Sequence, residues 1–436
     1  MGVALGRLPA RRAQKVLVLL EPDVETCKSL GASVADCDWS TDGLFSACCE
    51  ARAGSLRSFF DYLHFDGPNG RVVVVDDAGR CVWRLCEADQ RKILLVGTRL
   101  AEDLALLRQG DRTKTTRPRS EWGFDFERPT YLFDGLAAPA PSRERLADQW
   151  CETLARTLSE LAGVSRLPLL PGNARAAVVI TGDDDQAAIS AYETQLAALD
   201  GLPVTYFMHP ATKIDSELRG ALFARRTVDF ELHPDALHAP EQYGTLLEQQ
   251  SRWFARHFGL AATAVRNHGF LNDGYWRHAP HWVRAGLTAS SNLPGLNGTI
   301  LNGSLLPARL VLDDCLLDHW SLLTAFGDGM LFALEMSDAD AARHVLEFAD
   351  AIVESSIPGI LVINLHPENA SRAPQLHRAM HELGERGFLY WTLSECIAWF
   401  NSRDKPLSGA AVRSGKRGFK AAWRRLFGGL GAMAVS

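Results

Sequence analysis

The sequence predicts an α/β protein in which buried parallel strands alternate with helices, and three observations support that expectation. Short apolar runs rich in β-branched residues recur along the chain, each bounded by turn residues, as strands buried on both faces require. Between them lie stretches with apolar residues at helical spacing. From residue 174 to about 402 the two kinds of segment alternate regularly, which predicts a parallel sheet or a (β/α) barrel.

The size of 436 residues allows two domains, or one barrel with a substantial extension. An apolar fraction of 47% with 22% charged residues is that of an ordinary globular protein. The net charge of -6 provides no basic field, so nucleic acid is not expected as a partner. Nine cysteines are scattered without paired spacing, which points to reduced thiols in a cytoplasmic protein rather than a disulfide or zinc-knuckle framework. Residues 1–14 form an N-terminal extension without a signal-peptide core, and no stretch is apolar for long enough to span a membrane.

Taken in order, residues 15–135 read as a smaller α/β unit. Strands are expected at 16–20, 72–75 and 93–96, and Gly97 leads into a helix through Leu100, Leu104 and Leu107. Strand, glycine turn and helix suggest a doubly wound, Rossmann-like arrangement. It carries no glycine-rich phosphate loop, so no nucleotide site is supported and Asp76-Asp77 reads as a turn. Residues 136–173 are read as a linker and a helix over 143–161. Ala176 to Ile180 then form an apolar run that meets three successive carboxylates, Asp183, Asp184 and Asp185. Adjacent anions at a strand end call for a cation among them. Further strands are expected at 202–208, 228–232, 264–266, 286–290, 359–365 and 388–391. His233, His268 and His366 each follow one of these runs, at the strand ends where barrel enzymes place their chemistry. Residues 403–436 mix Arg and Lys with Phe and Trp, and 416–427 suits a basic amphipathic helix able to contact an anionic membrane face.

Taken together, these strand-end motifs resemble the polysaccharide deacetylase family, carbohydrate esterase family 4, also called the NodB-homology domain. Thr181-Gly182-Asp183-Asp184-Asp185 resembles its Thr-Phe-Asp-Asp-Gly motif, and Leu232-His233-Pro234 sits where its His-rich motif belongs. Val265-Arg266-Asn267-His268-Gly269-Phe270 is similar to the arginine motif, and Asn364-Leu365-His366-Pro367 to the closing Leu-x-x-His motif. The resemblance covers residues 174–402 and implies a distorted (β/α) barrel of NodB type. It also implies a metal-dependent hydrolase that removes N-acetyl groups from a sugar in a polysaccharide or glycan precursor.

Carried over by position, the resemblance makes Asp183 the general base, Asp184 and His233 metal ligands, His366 the general acid, and Arg266 the tether of the base. Three departures leave alternatives open. Gly182 replaces an aromatic residue and Asp185 a glycine, so a frame with Asp184 as base and Asp185 as ligand is also open. The family's second histidine falls one position late, at His238, and on a helix that spacing turns the rings apart. His268, at a strand end, is the alternative third ligand. One Asp and two His suit Zn2+, with Co2+, Ni2+ or Mn2+ as substitutes. Asp185, Tyr275 and Trp276 are expected to contact the sugar, the aromatics by stacking. His209, Arg309 and the 313–320 patch are secondary candidates. Hydrolysis of a different amide and a non-catalytic carbohydrate-binding role are the competing functions.

Overall fold

The computed structural model describes residues 16–20, 33–34, 43–47, 56–58, 62–66, 70–88, 91–116, 126–131, 144–163, 165–224, 227–313, 315–403 and 413–414. The N-terminal extension, Cys48-Cys49 and the expected amphipathic helix at 416–427 lie outside them.

Strand Ala176–Asp184 is the axis of the larger unit. Its residues pair in parallel with Val204–Met208 on one side and with Gly359–Asn364 on the other. Val228–Leu232, Ala264–Val265, Ala289–Pro294 and Cys315–Thr324 follow in turn, each parallel to the one before. The chain then runs from Thr324 into Phe326–Gly327, which pairs in parallel with Ile363 and Asn364. The strands therefore run round in a ring, back to their starting neighbour. Phe388–Trp391 joins the lower half of Ala176–Asp184, so the ring is uneven there.

A strand presents successive side chains to opposite faces, and this alternation decides what lies inside. Ala177, Val179, Phe207, Ile360 and Val362 fill the lower interior, packed with Ala289, Trp320 and Leu322. Ala176, Val178 and Ile180 face outward instead, against Tyr192 and Leu196 of helix Ile189–Ala198. The apolar interior stops at Thr181, and the residues above it are polar. Strands Ala308–Leu312 and Cys315–Thr324, where the sequence singled out only Arg309 and a polar-aromatic patch at 313–320, form an antiparallel hairpin whose second strand completes the ring.

The N-terminal sheet corrects the Rossmann-like expectation. Arg71–Asp76, Cys81–Ala88 and Arg91–Val96 are antiparallel neighbours, and Gly43–Ala47 and Leu56–Ser58 extend the sheet in the same sense. Among the described residues of this sheet, only Val16–Leu20, beside Arg91–Val96, and Arg413–Ser414, beside Val16–Leu20, pair in parallel. The connections over 77–80 and 89–90 are too short for the crossover that parallel neighbours need. Gly79 turns the first of them at φ +77°, and the Gly79 N–H donates to the Asp76 carbonyl. Asp76 is buried rather than solvated. It accepts from the Arg80 N–H and Nε–H, both at 2.8 Å, and His64 Nε2 lies 2.9 Å away.

Helix Leu146–Ala162 joins the two units through one apolar cluster that runs from Val74 and Trp83 to Ile360 and Phe400. Trp150 stacks on Trp83 with ring centres 5.5 Å apart. Arg145 donates to the carbonyls of Ile357 and Pro358 and to Asp148, which also accepts from Ser304 Oγ and the Leu305 N–H. These bonds fix the lower end of strand Gly359–Asn364, away from the polar end of the ring. Among the described residues no helix is long and apolar enough to cross a membrane.

Two histidines buried in this frame make stability depend on pH. His278 packs 3.8 Å from the Tyr243 ring, and neither of its nitrogens meets a hydrogen-bond partner among the described residues. Burial lowers its pKa to about 3. His319 stacks on Trp282 and donates from Nδ1 to the Leu287 carbonyl, and burial lowers its pKa to about 4. Both rings are neutral in the fold, so as the pH falls below about 6.5 the unfolded chain binds protons first and stability is lost. We expect His278→Phe to flatten the fall in urea-denaturation stability between pH 6.5 and 4 by about 1.4 kcal/mol per pH unit. An unchanged slope would remove His278 as its source.

Candidate active site

The polar end of the ring is organised by a buried guanidinium. Arg266 follows the short strand Ala264–Val265 and is fully buried. Its Nε donates to the Ser291 carbonyl, and one terminal nitrogen donates to Ser291 Oγ and Thr324 Oγ1. The other donates to Thr181 Oγ1 at 2.9 Å, Asp183 Oδ1 at 2.8 Å and Asn364 Oδ1 at 2.9 Å. The rings of Phe207 and Phe270 flank it at 4.4 and 5.4 Å. Five N–H donors thus find acceptors on four strands, as burial of an always-charged group demands.

Asp183 is the anionic partner. Its second oxygen accepts from Asn364 Nδ2 at 2.8 Å. Burial alone would raise its pKa, but Arg266, His233 and His366 outweigh that and hold it below the usual carboxylate range. His366, just past strand Gly359–Asn364, lies across from it, with Nε2 3.9 Å from Asp183 Oδ2 and 3.8 Å from Asp185 Oδ2. Asp328 holds the imidazole by its Nδ1 at 2.5 Å and also accepts the His366 N–H. Burial opposes the charge on His366, but Asp328, Asp183 and Asp185 together push its pKa up to about 10.

Beside this pair lies a group of donor atoms. Asp185 Oδ1 is 3.4 Å from His233 Nε2 and 3.6 Å from His268 Nε2, and the three residues can offer one ligand atom each within 4.8 Å of one another. His233 donates from Nδ1 to the Arg266 carbonyl at 2.7 Å, so once Nε2 gives up its proton the lone pair there faces Asp185. Ligands about 2.0–2.2 Å from a tetrahedral ion are themselves about 3.4 Å apart, so the two distances from Asp185 match the edges around a zinc-like cation, with the two histidine nitrogens within 4.8 Å of each other. Despite burial, His233, His366 and His268 hold the Asp185 carboxyl well below its ordinary value, ionised and ready to ligate.

Two sequence expectations need correction here. Asp184 lies on the opposite face of the strand from Asp183, because adjacent strand residues alternate. It is buried toward Tyr192 and Thr212 and accepts the Gln186 N–H, and burial raises its pKa. The two carboxylates that share the site are therefore 183 and 185, a pairing that neither expected frame contained. His238 is exposed in the turn after the third strand and does not join the donor group, whereas His268 does.

Trp276 is also no sugar platform. It is fully buried and donates from Nε1 to the Gln109 carbonyl, while the Tyr275 hydroxyl lies 3.3 Å from Gln109 Nε2. Arg309 pairs with Asp318 at 3.2 Å. Sequence reasoning missed Asn364, Asp328 and Asp235. Asn364 lies within the closing motif, and its place two residues before His366 puts it on the same inner face as Thr181.

No family profile matches the chain, and no curated relative matches it. Several solved structures are similar over about half of it. One is a protein from Mycobacterium smegmatis assigned as a polysaccharide deacetylase, at 16% identity, covering 57% of this chain and 96% of its own, with a TM-score of 0.43. A Bordetella bronchiseptica protein, assigned as a polysaccharide deacetylase involved in O-antigen biosynthesis, shares 14% identity over 54% of this chain and 93% of its own, with a TM-score of 0.32. A carbohydrate esterase family 4 pseudoenzyme from Bacillus anthracis shares 9% identity over 51% of this chain and 65% of its own, with a TM-score of 0.33. Likeness at this level transfers no activity, so the chemistry is argued from the side chains.

Gly182 explains one departure from the expected motif. A Cβ at this position would lie 2.8 Å from the Leu365 carbonyl oxygen and 2.8 Å from the Tyr206 ring. Gln195 fixes both neighbours, because it accepts from Tyr206 Oη and donates to that carbonyl. Gly182→Ala should therefore cost about 1–3 kcal/mol in denaturant unfolding. Wild-type stability in this variant would show that the contact relaxes freely.

Proposed function

We propose that the chain is a metal-dependent hydrolase that removes N-acetyl groups from a sugar in a glycan or glycan precursor, on a distorted (β/α) barrel of NodB type. One observation carries the reading. The Asp183 carboxylate and the His366 imidazole face each other 3.9 Å apart beside a nitrogen–nitrogen–oxygen donor group. That supplies a base, an acid and a cation site within reach of one amide.

Asp185, His233 and His268 would hold the ion. When bound, it supplies a water of lowered pKa and polarises the acetyl carbonyl. Asp183 takes a proton from the attacking water. Arg266 and Asn364 fix the direction of its carboxylate, and Arg266 keeps it ionised. His366 Nε2 then gives its proton to the sugar nitrogen as the C–N bond breaks, which releases acetate and the free amine. Asp328 keeps His366 in the donating orientation. Seven of these residues come from four strand ends and Asp328 from the start of the helix that follows Phe326–Gly327, so the ring itself sets their spacing.

The test is acetate release from N-acetylated sugar oligomers by zinc-loaded protein. We expect Asp183→Asn and His366→Ala each to lower kcat by about 10²–10⁴-fold with little change in KM. Turnover unchanged in either variant would contradict the assignment. Sugar binding without acetate release by the wild type would favour the carbohydrate-binding alternative.

A further inference from the structure

A second trio, His209, Asp235 and His268, lies beside the first and shares His268 with it. Its hydrogen bonding decides what it can do. The Ala211 N–H donates to His209 Nδ1 at 3.0 Å, so Nδ1 carries a lone pair and the ring proton sits on Nε2. That Nε2–H points at Asp235 Oδ2, 3.4 Å away. His209 therefore has no lone pair free for a cation, and the trio is not a second metal site.

His268 faces the same choice. Its Nε2 lies 3.6 Å from Asp185 Oδ1, and its Nδ1 lies 3.5 Å from Asp235 Oδ1. A neutral imidazole has one lone pair, so it can ligate at one side only. A proton on Nδ1, turned toward the Asp235 carboxylate, would leave the lone pair on Nε2 beside Asp185 and His233. Asp235 itself is held firmly. Gln250, on helix Tyr243–Phe258, bonds both its N–H and its carbonyl, and the Leu237 N–H donates to Oδ1. His268 is fixed against the same loop, since its N–H donates to the Pro234 carbonyl at 3.0 Å.

We propose that Asp235 is a positioning residue that sets the tautomer of His268 and makes it the third metal ligand, with His209 orienting Asp235 from behind. This rests on the metal-dependent reading above. It also accounts for the chain's departure from the expected histidine spacing: the ligand comes from the strand end after Arg266, and the loop after His233 supplies a carboxylate to orient it.

The experiment is zinc affinity of the full chain, by competition with a chromophoric chelator, in wild type, Asp235→Asn and Asp235→Ala. Visible spectra of the cobalt-loaded forms and melting of the metal-free forms would accompany it. We expect one equivalent in the wild type, a loss of about 10–100-fold in Asp235→Ala and a smaller loss in Asp235→Asn. The cobalt band should shift in both. Asn retains the turn to Leu237, so metal-free melting should be unchanged in Asp235→Asn even as affinity falls, which a purely structural role would not produce. Wild-type affinity and spectra in both variants would overturn the role of Asp235 and leave the metal-dependent reading standing. No binding by the wild type would overturn that reading, and the role of Asp235 with it.

Discussion

Burying a guanidinium at the centre of a strand ring is costly unless each of its donors is met, and much of the candidate site follows from meeting that demand. Arg266 draws Thr181, Asp183 and Asn364 together from two adjacent strands and Ser291 and Thr324 from two on the far side. The same bonds aim the Asp183 carboxylate and keep it ionised beside His366. Even the Arg266 backbone takes part, since its carbonyl fixes the His233 tautomer. Arg266 thus fixes the proposed base through its guanidinium, the proposed ligand His233 through its carbonyl, and the upper layer of the ring through both.

The second constraint is the two-residue period of a strand. Three successive aspartates drew attention in the sequence because their charges repel, but a strand cannot aim all three at one target. Asp185 belongs to the donor group, Asp183 lies on the same face beside it, and Asp184 is turned toward Tyr192. The positions could have been separated without a structure by extending the inward set 177, 179 and 181 two steps further. The motif match drew the expectation onto adjacent residues instead. The choice between His238 and His268 was also half visible, since only His268 directly follows a strand end.

The larger unit was legible because its strands are apolar runs separated by amphipathic helices, and Val228–Leu232 and Phe388–Trp391 fall where the apolar runs do. The N-terminal unit was misjudged on one strand–glycine–helix segment: without strand Cys81–Ala88, the 17 residues between the runs at 72–75 and 93–96 left room for a crossover, whereas that strand makes both connections hairpins. Trp276 was opaque for a different reason. An aromatic after a glycine turn looks the same in sequence whether it faces a ligand or a neighbouring unit, and Gln109, its partner, lies more than 160 residues earlier. Asp328 and Asp235 were hidden in the same way, because nothing local marks an acid that orients a distant histidine.

The central claim is that the ligand carboxylate is Asp185 and not its neighbour. The direct measurement is zinc stoichiometry and affinity of wild type, Asp184→Asn and Asp185→Asn, with a neutral amide as a weak ligand at either position. The account predicts one tightly held ion in the wild type and in Asp184→Asn, and a loss of about 100-fold or more in Asp185→Asn. Retention by Asp185→Asn with loss in Asp184→Asn would contradict it and return the site to the frame of adjacent carboxylates.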